Sequence, residues 1–141
     1  MTTYNTPEEA EDAYYDAIEE SDLEKMMSVW SDSPQAVCLL PMQPVQNGSQ
    51  AIRQMWQPML NPGMGIDITV NHLQWSHLGE IAIHLVEESV MLSGMGERQP
   101  PIYATNIFQK TENGWQMLMH FNAPAPPPEG MMPPGMPGMP A

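Results

Sequence analysis

Positive charge is scarce in this 141-residue chain: 4 Lys+Arg stand against 17 Asp+Glu, for a formal net charge of −13. Lys25, Arg53, Arg98 and Lys110 are too scattered to form a basic stripe, and so acidic a chain repels phosphate backbones. Nucleic acid is therefore not an expected partner. Cysteine is almost missing as well. A lone Cys38 excludes an intrachain disulfide and fits a reducing compartment, so the expected location is the cytoplasm. No apolar run approaches the ~20 residues needed to span a bilayer, so no membrane is expected either. The opening MTTYNTPEEAEDA lacks a basic n-region and an apolar h-region, unlike a signal peptide. What the chain does have is 42% hydrophobic residues, enough for one core in one domain.

The first helix is strongly signalled. Thr6 fits the N-cap, Pro7 the first helical position, and Glu9 the third position of a capping box. Ala10, Ala13, Tyr14, Ala17 and Ile18 follow as a core-facing stripe, with acidic residues in the first turn where the helix dipole favours them. Ser21 or Asp22 starts a second helix carrying Leu23, Met26, Met27 and Trp30, which Ser31–Pro34 ends. Ala36–Leu40 reads as a short apolar strand stopped by Pro41, and Met42–Asn47 as loop. Gly48-Ser49 opens a third helix through Leu60. Beyond it the period changes from 3.6 to 2: Ile66, Ile68 and Val70 begin a strand reaching Trp75, and Ile81–Leu92 is a long second one. Tyr103–Lys110 and Trp115–Phe121 make a hairpin around Glu112-Asn113-Gly114. The order ααβαββββ is an α+β pattern: three N-terminal helices on a curved, mostly antiparallel sheet.

Three helices cover only one face of such a sheet, while Ile81–Leu92 is apolar on both. A second subunit is expected on the other face, giving a homodimer through the sheet. From residue 124 the composition becomes APAPPPEGMMPPGMPGMPA after Asn122, taking Ala123 with it, and eight of the 16 prolines fall here. The expected division is a domain over 1–123 and a Pro/Met/Gly-rich low-complexity tail over 124–141. The tail thioethers Met131, Met132, Met136 and Met139 are soft donors, but low-complexity packing is the preferred reading.

Tyr14–Ile18 with Ser21–Trp30, then Val37–Pro41 with Gly48–Ile52 and Trp56, then Ala104–Phe108 with Gly114–Pro124, together resemble the SnoaL-like branch of the nuclear transport factor two-like superfamily. The calcium/calmodulin-dependent kinase II association domain shares that fold. The resemblance implies a cone-shaped α+β barrel whose helices and concave sheet face enclose an apolar pocket. Mapped onto it, the lining is Tyr14, Trp30, Cys38, Leu40, Met42, Trp56, His84, Tyr103, Met117 and Met119. Family members often carry histidines where this chain has Leu40, Met119 and Phe121, and only His120 of that last group remains.

Enzymes of the superfamily need a proton acceptor near its working pKa inside the pocket. His84, which interrupts an apolar strand, Glu87 (of the pair Glu87-Glu88) and His120 are the catalytic candidates. The strand parity of His120 puts it with Gln116, Leu118 and Asn122, away from the helices, and His84 reads more readily as an interface residue than as a base. Arg53 reads as a salt-bridge partner. His72 and His77, five apart, do not have a zinc spacing, so neither metal nor other cofactor is expected. The preferred function is non-catalytic binding of a small apolar or aromatic molecule in the cone pocket. The alternatives are an isomerase, cyclase or dehydratase abstracting a proton next to a carbonyl, and an oligomerisation module. The fifteen methionines read chiefly as core filling.

Overall fold

Thr6 caps the first helix as its sequence position predicts, its hydroxyl accepting the Glu9 backbone N–H at 3.1 Å. The computed structural model describes residues 2–60, 65–92, 96 and 98–125. Helix α1 spans Pro7–Glu20 and α2 spans Leu23–Val29. Ser21 between them turns left-handed, with φ 54, and Asp22 caps α2 by accepting the Lys25 N–H at 3.0 Å. Strand β1 (Val37–Leu39), β2 (Gln46–Asn47), helix α3 (Ser49–Met59) and strands β3 (Ile66–Leu78), β4 (Ile81–Leu92), β5 (Ile102–Thr111) and β6 (Gly114–Pro124) follow. The tail methionines at 131, 132, 136 and 139 lie outside the described residues.

One six-stranded sheet has the order β2-β1-β6-β5-β4-β3. Every neighbouring pair is antiparallel except β1 and β6, which run parallel. The two edge strands, β2 and β3, do not pair, so the sheet is mixed and open rather than closed. Strand β2 is an addition to the expected order. It comes from the stretch read as loop, where Gln46 and Asn47 escape Pro44 and pair with Cys38 and Val37. The helices lie on one face. Ala10, Ala13 and Ala17 of α1 and Ala82 and Ala104 of the sheet are buried small residues of the shared core.

Two β-bulges decide which side chains face the helices. In β3, His72 pairs with Val86 and Gln74 with Leu85, leaving Leu73 as the extra residue. Face parity therefore switches there, and His72, Trp75 and His77 all point inward with their partners Val86, His84 and Ala82. In β6, Phe108 pairs with Met117 and Ile107 with Met119, so Leu118 is the extra residue. The expected alternation breaks at that point. Trp115 and Met117 face the helices as predicted, but beyond the bulge His120 and Asn122 do, and Met119 and Phe121 turn outward. The opposite face carries Ile83, Leu85, Ile107, Met119 and Phe121, all half-buried or exposed. Among the described residues no helix is long and apolar enough to cross a membrane.

The β5–β6 turn is locked to the N-terminal segment. The Trp115 N–H donates to the Tyr4 carbonyl at 2.8 Å, and Gly114 holds φ 90 beside it. A Cβ on Gly114 would lie 2.6 Å from that same carbonyl oxygen. Gly114→Ala should therefore lower unfolding stability by about 2 kcal/mol or more, from left-handed strain plus the clash. Thermal denaturation checks this, and an unchanged midpoint would contradict the packing described.

Candidate functional site

One ladder row across the sheet carries most of the chemistry. Trp75, His84, Asn106, His120 and Cys38 are successive cross-strand partners on the inward face. Above them α1 presents Glu8, Glu11 and Tyr15, three and four residues apart and hence on one stripe. Glu11 is 2% exposed and His84, Asn106 and His120 are wholly buried. This is a polar layer inside the core.

Its hydrogen bonds are nearly all internal. Glu11 Oε1 lies 2.6 Å from His72 Nε2, and Glu11 Oε2 accepts from Asn106 Nδ2 at 2.9 Å. Asn106 Nδ2 also reaches the Tyr15 hydroxyl at 3.0 Å, and Tyr15 donates to Glu88 Oε2 at 2.7 Å. Asn122 Nδ2 donates to Glu88 Oε1 at 2.9 Å and to the Tyr103 carbonyl at 3.1 Å. With both amide NH2 groups so committed, the Oδ1 atoms of Asn106 and Asn122 face His120 Nδ1 at 2.6 Å and Nε2 at 2.8 Å. The His120 ring is thus held in place by an amide oxygen at each of its two nitrogens.

Burial pushes the Glu11 carboxyl up, but its neighbours His84, Asn106 and His72 outweigh that and hold it below the ordinary carboxylate value. Burial, reinforced by Glu88, pushes the Tyr15 phenol well above its usual range, so it stays a donor.

The layer separates two ends of the inward face. Toward the open end lies a pocket of about 320 Å³ whose walls include Tyr14, Leu40, Trp56, Ile68 and Val90. An adjoining hollow of about 250 Å³ shares Pro41 and Ile102 with it and is bordered by Met42 and Asn122. At the opposite end Glu8, His77 and His84 bring one ligand-type atom each within 4.8 Å of one another, the group among the described residues that could hold a metal ion.

The SnoaL-like domain model matches residues 8–126, nearly the whole described chain. The chain belongs to the SnoaL-like domain family. Solved structures agree with that membership. A provisionally assigned calcium/calmodulin-dependent protein kinase type II association domain from Thiobacillus denitrificans superposes with a TM-score of 0.82 at 28% identity, covering 89% of this chain and 100% of that one. A provisionally assigned dehydratase of the NTF2-like family from Streptomyces avermitilis gives 0.73 at 24% identity, covering 84% and 92%. A cystatin-like domain of unknown function from Nostoc punctiforme gives 0.72 at 18% identity, covering 85% and 75%. No curated protein matches the chain.

Within this SnoaL-like domain the residues anticipated from sequence scatter. Tyr14, Leu40 and Trp56 do line the pocket. Met42 is fully exposed at the rim of the adjoining hollow. Trp30, Cys38 and Met117 are buried core residues; Trp30 bridges to Met117, and none of the three borders the pocket. Tyr103 and Met119 point to the outer face, Met119 because of the Leu118 bulge.

Of the three catalytic candidates, Glu87 also faces outward, where it accepts from Asn71 Nδ2 at 3.0 Å. Its neighbour Glu88 is the inward carboxylate. His84 and His120 both lie under α1 rather than on a subunit interface. Arg53 pairs with Glu24 at 2.6 Å as expected. Glu11, Tyr15, Asn106 and Asn122 were not anticipated. The spacing of Glu8, Glu11, Tyr15 and Ile18 along one helix stripe was the available signal.

Cys38 carries no nucleophilic role. Burial, with the nearby Glu88 charge adding to it, pushes its thiol up to about 12. The folded protein thus keeps this proton between the ordinary thiol value and about 12, whereas the unfolded chain releases it, so Cys38 lowers stability as pH rises through that window. At about pH 8 a disulfide reagent should leave the native thiol unmodified and titrate one thiol after denaturation. Rapid native labelling would contradict the burial.

Proposed function

We propose that this SnoaL-like protein binds a small apolar or aromatic molecule in the pocket at the open end of its sheet. The carrying observation is the contrast between that pocket and the layer beneath it. The pocket walls are aliphatic and aromatic side chains, with Gln43 and the tyrosine hydroxyl as polar groups. The carboxylates and imidazole of the adjoining layer are occupied with one another: Glu88 by Tyr15 and Asn122, His120 by two amides. Such a site takes up an apolar body by desolvation and presents no unengaged base to it. The dehydratase description of the Streptomyces neighbour is the support for proton abstraction as the second reading, with Glu88 as the carboxylate next to the pocket.

The test uses N-phenyl-1-naphthylamine, a neutral aromatic fluorophore, titrated into the full chain. We expect saturable enhancement, and Val90→Trp, which fills the pocket, should weaken binding at least tenfold, about 1.4 kcal/mol. Equal binding by a folded Val90→Trp variant would overturn the reading.

The same reading includes a second copy of the chain on the outer face. Ile83, Leu85, Ile107, Met119 and Phe121 present a partly exposed apolar surface there, with Leu85 38% exposed. The Thiobacillus neighbour, described as an association domain, supports association of this chain as well. Light scattering at micromolar concentration should give a dimer that Ile107→Asp converts to monomer; a monomeric parent chain would overturn this part. The lone buried thiol supports a cytoplasmic setting.

A further inference from the structure

The end of the inward face away from the pocket is unlike the rest of the polar layer. His84 is wholly buried, yet neither of its ring nitrogens has a hydrogen-bond partner, and the buried Glu8 Oε2 is equally unpartnered. Leaving a buried polar atom unpaired costs about 1–3 kcal/mol, and three such atoms at one point require an explanation. The adjoining layer satisfies its donors and acceptors, and the other unpartnered buried atoms among the described residues, the Trp30 and Trp56 Nε1 groups, are single indole donors, whereas here three atoms of an imidazole and a carboxylate converge.

We propose that Glu8, His77 and His84 form a binding site for a divalent transition-metal ion of the zinc class. Two imidazoles and a carboxylate are a zinc donor set. Glu8 Oε2 lies 3.3 Å from His77 Nε2 and 3.4 Å from His84 Nε2. Bonds of about 2.0–2.1 Å at tetrahedral angles put neighbouring ligand atoms about 3.3–3.4 Å apart, so two edges of the polyhedron are already set. All three ligand atoms fall within 4.8 Å of one another, and a turn of the half-exposed His77 ring closes the third edge.

The tautomer is arranged for it. His84 Nδ1 sits 3.0 Å from Glu11 Oε2, too oblique for a formed hydrogen bond but placing the carboxylate where it favours a proton on Nδ1. The Nε2 lone pair then faces Glu8 and His77, the carboxylate–histidine–metal arrangement. Glu11 is itself fixed by Asn106 and His72. Trp75 stacks on the His84 ring at 4.9 Å and 18° and holds its plane.

His77 is 47% exposed near the end of β3, so the fourth position opens to solvent. The net charge of −13 favours cation approach. This site is independent of the apolar pocket, from which the Glu11–Asn106–His120 layer separates it.

Chelator-stripped full-length protein titrated calorimetrically with zinc should bind one ion and unfold at higher temperature with it. His77→Ala, at a half-exposed position, should keep the fold by circular dichroism and lose affinity by about a hundredfold or more. Cobalt(II) in place of zinc should develop the intense visible bands of a low-coordinate site. No zinc binding by the parent chain, or equal binding by folded His77→Ala, would overturn the site. Only the weak bands of hydrated cobalt would do the same.

Discussion

A carboxylate facing a β-sheet from the middle of a helix sets the terms for this molecule. Glu11 is almost completely buried, and an ionised carboxyl there forfeits solvation worth several kcal/mol unless donors replace the water. The donors must come from the sheet, at fixed places, because the helix itself offers none in that direction. Asn106 and His72 supply them. Asn106 must then turn its carbonyl toward His120, which fixes Asn122, which in turn reaches Glu88 and so Tyr15 back on α1. One demand for solvation thus orders a closed circuit of side chains from three strands and one helix. It aligns α1 on the sheet more narrowly than apolar contact alone could do.

That circuit also partitions the inward face. Along α1, Glu8 stands at one end, Glu11 and Tyr15 in the middle, and Ile18 at the other. The sheet follows the same gradient along β4, from Ala82 and His84 through Glu88 to Val90 and Leu92. A greasy cavity, a dry polar layer and a ligand-rich corner therefore succeed one another along one helix. The polar middle keeps the character of each end from reaching the other.

Much of this was legible in the residues. The capping pattern locates α1, the long apolar run from Ile81 to Leu92 gives β4 to the residue, and Glu112-Asn113-Gly114 marks the last hairpin. Tyr14, Leu40 and Trp56 border the cavity at the open end of the sheet. The differences in facing share one physical cause. Alternation predicts facing only while one residue opposes one residue, and the extra residues Leu73 and Leu118 leave no local signature, because a bulge is selected by pairing and packing across strands. Beyond Leu118 the reading therefore turned His120 and Asn122 outward and Met119 inward, the reverse of what the sheet does. The spacing of His77 from His72 says little, because its neighbours in space are a helix residue and a residue of the next strand. Glu11 gives no apolar signal of its own, although it lies on the same helix stripe as Tyr15 and Ile18.

The bulges carry a consequence for how such proteins diverge. In β6 the chemistry of the interior is addressed by residue count as much as by residue type. Flattening the bulge while keeping Leu118 in the ladder would restore strict alternation and present Met119 and Phe121 to the helices, with every side chain unchanged in identity. Gain or loss of a bulge, with no change in residue identity beyond it, is here a wholesale exchange of interior surface. At identities such as the 28% seen with the Thiobacillus structure, equating interior residues by linear alignment risks pairing one protein's inside with another's outside. Correspondence between such sites is better traced rung by rung across the strands, where the hydrogen-bonded partner, not the neighbour in sequence, says which way a side chain looks.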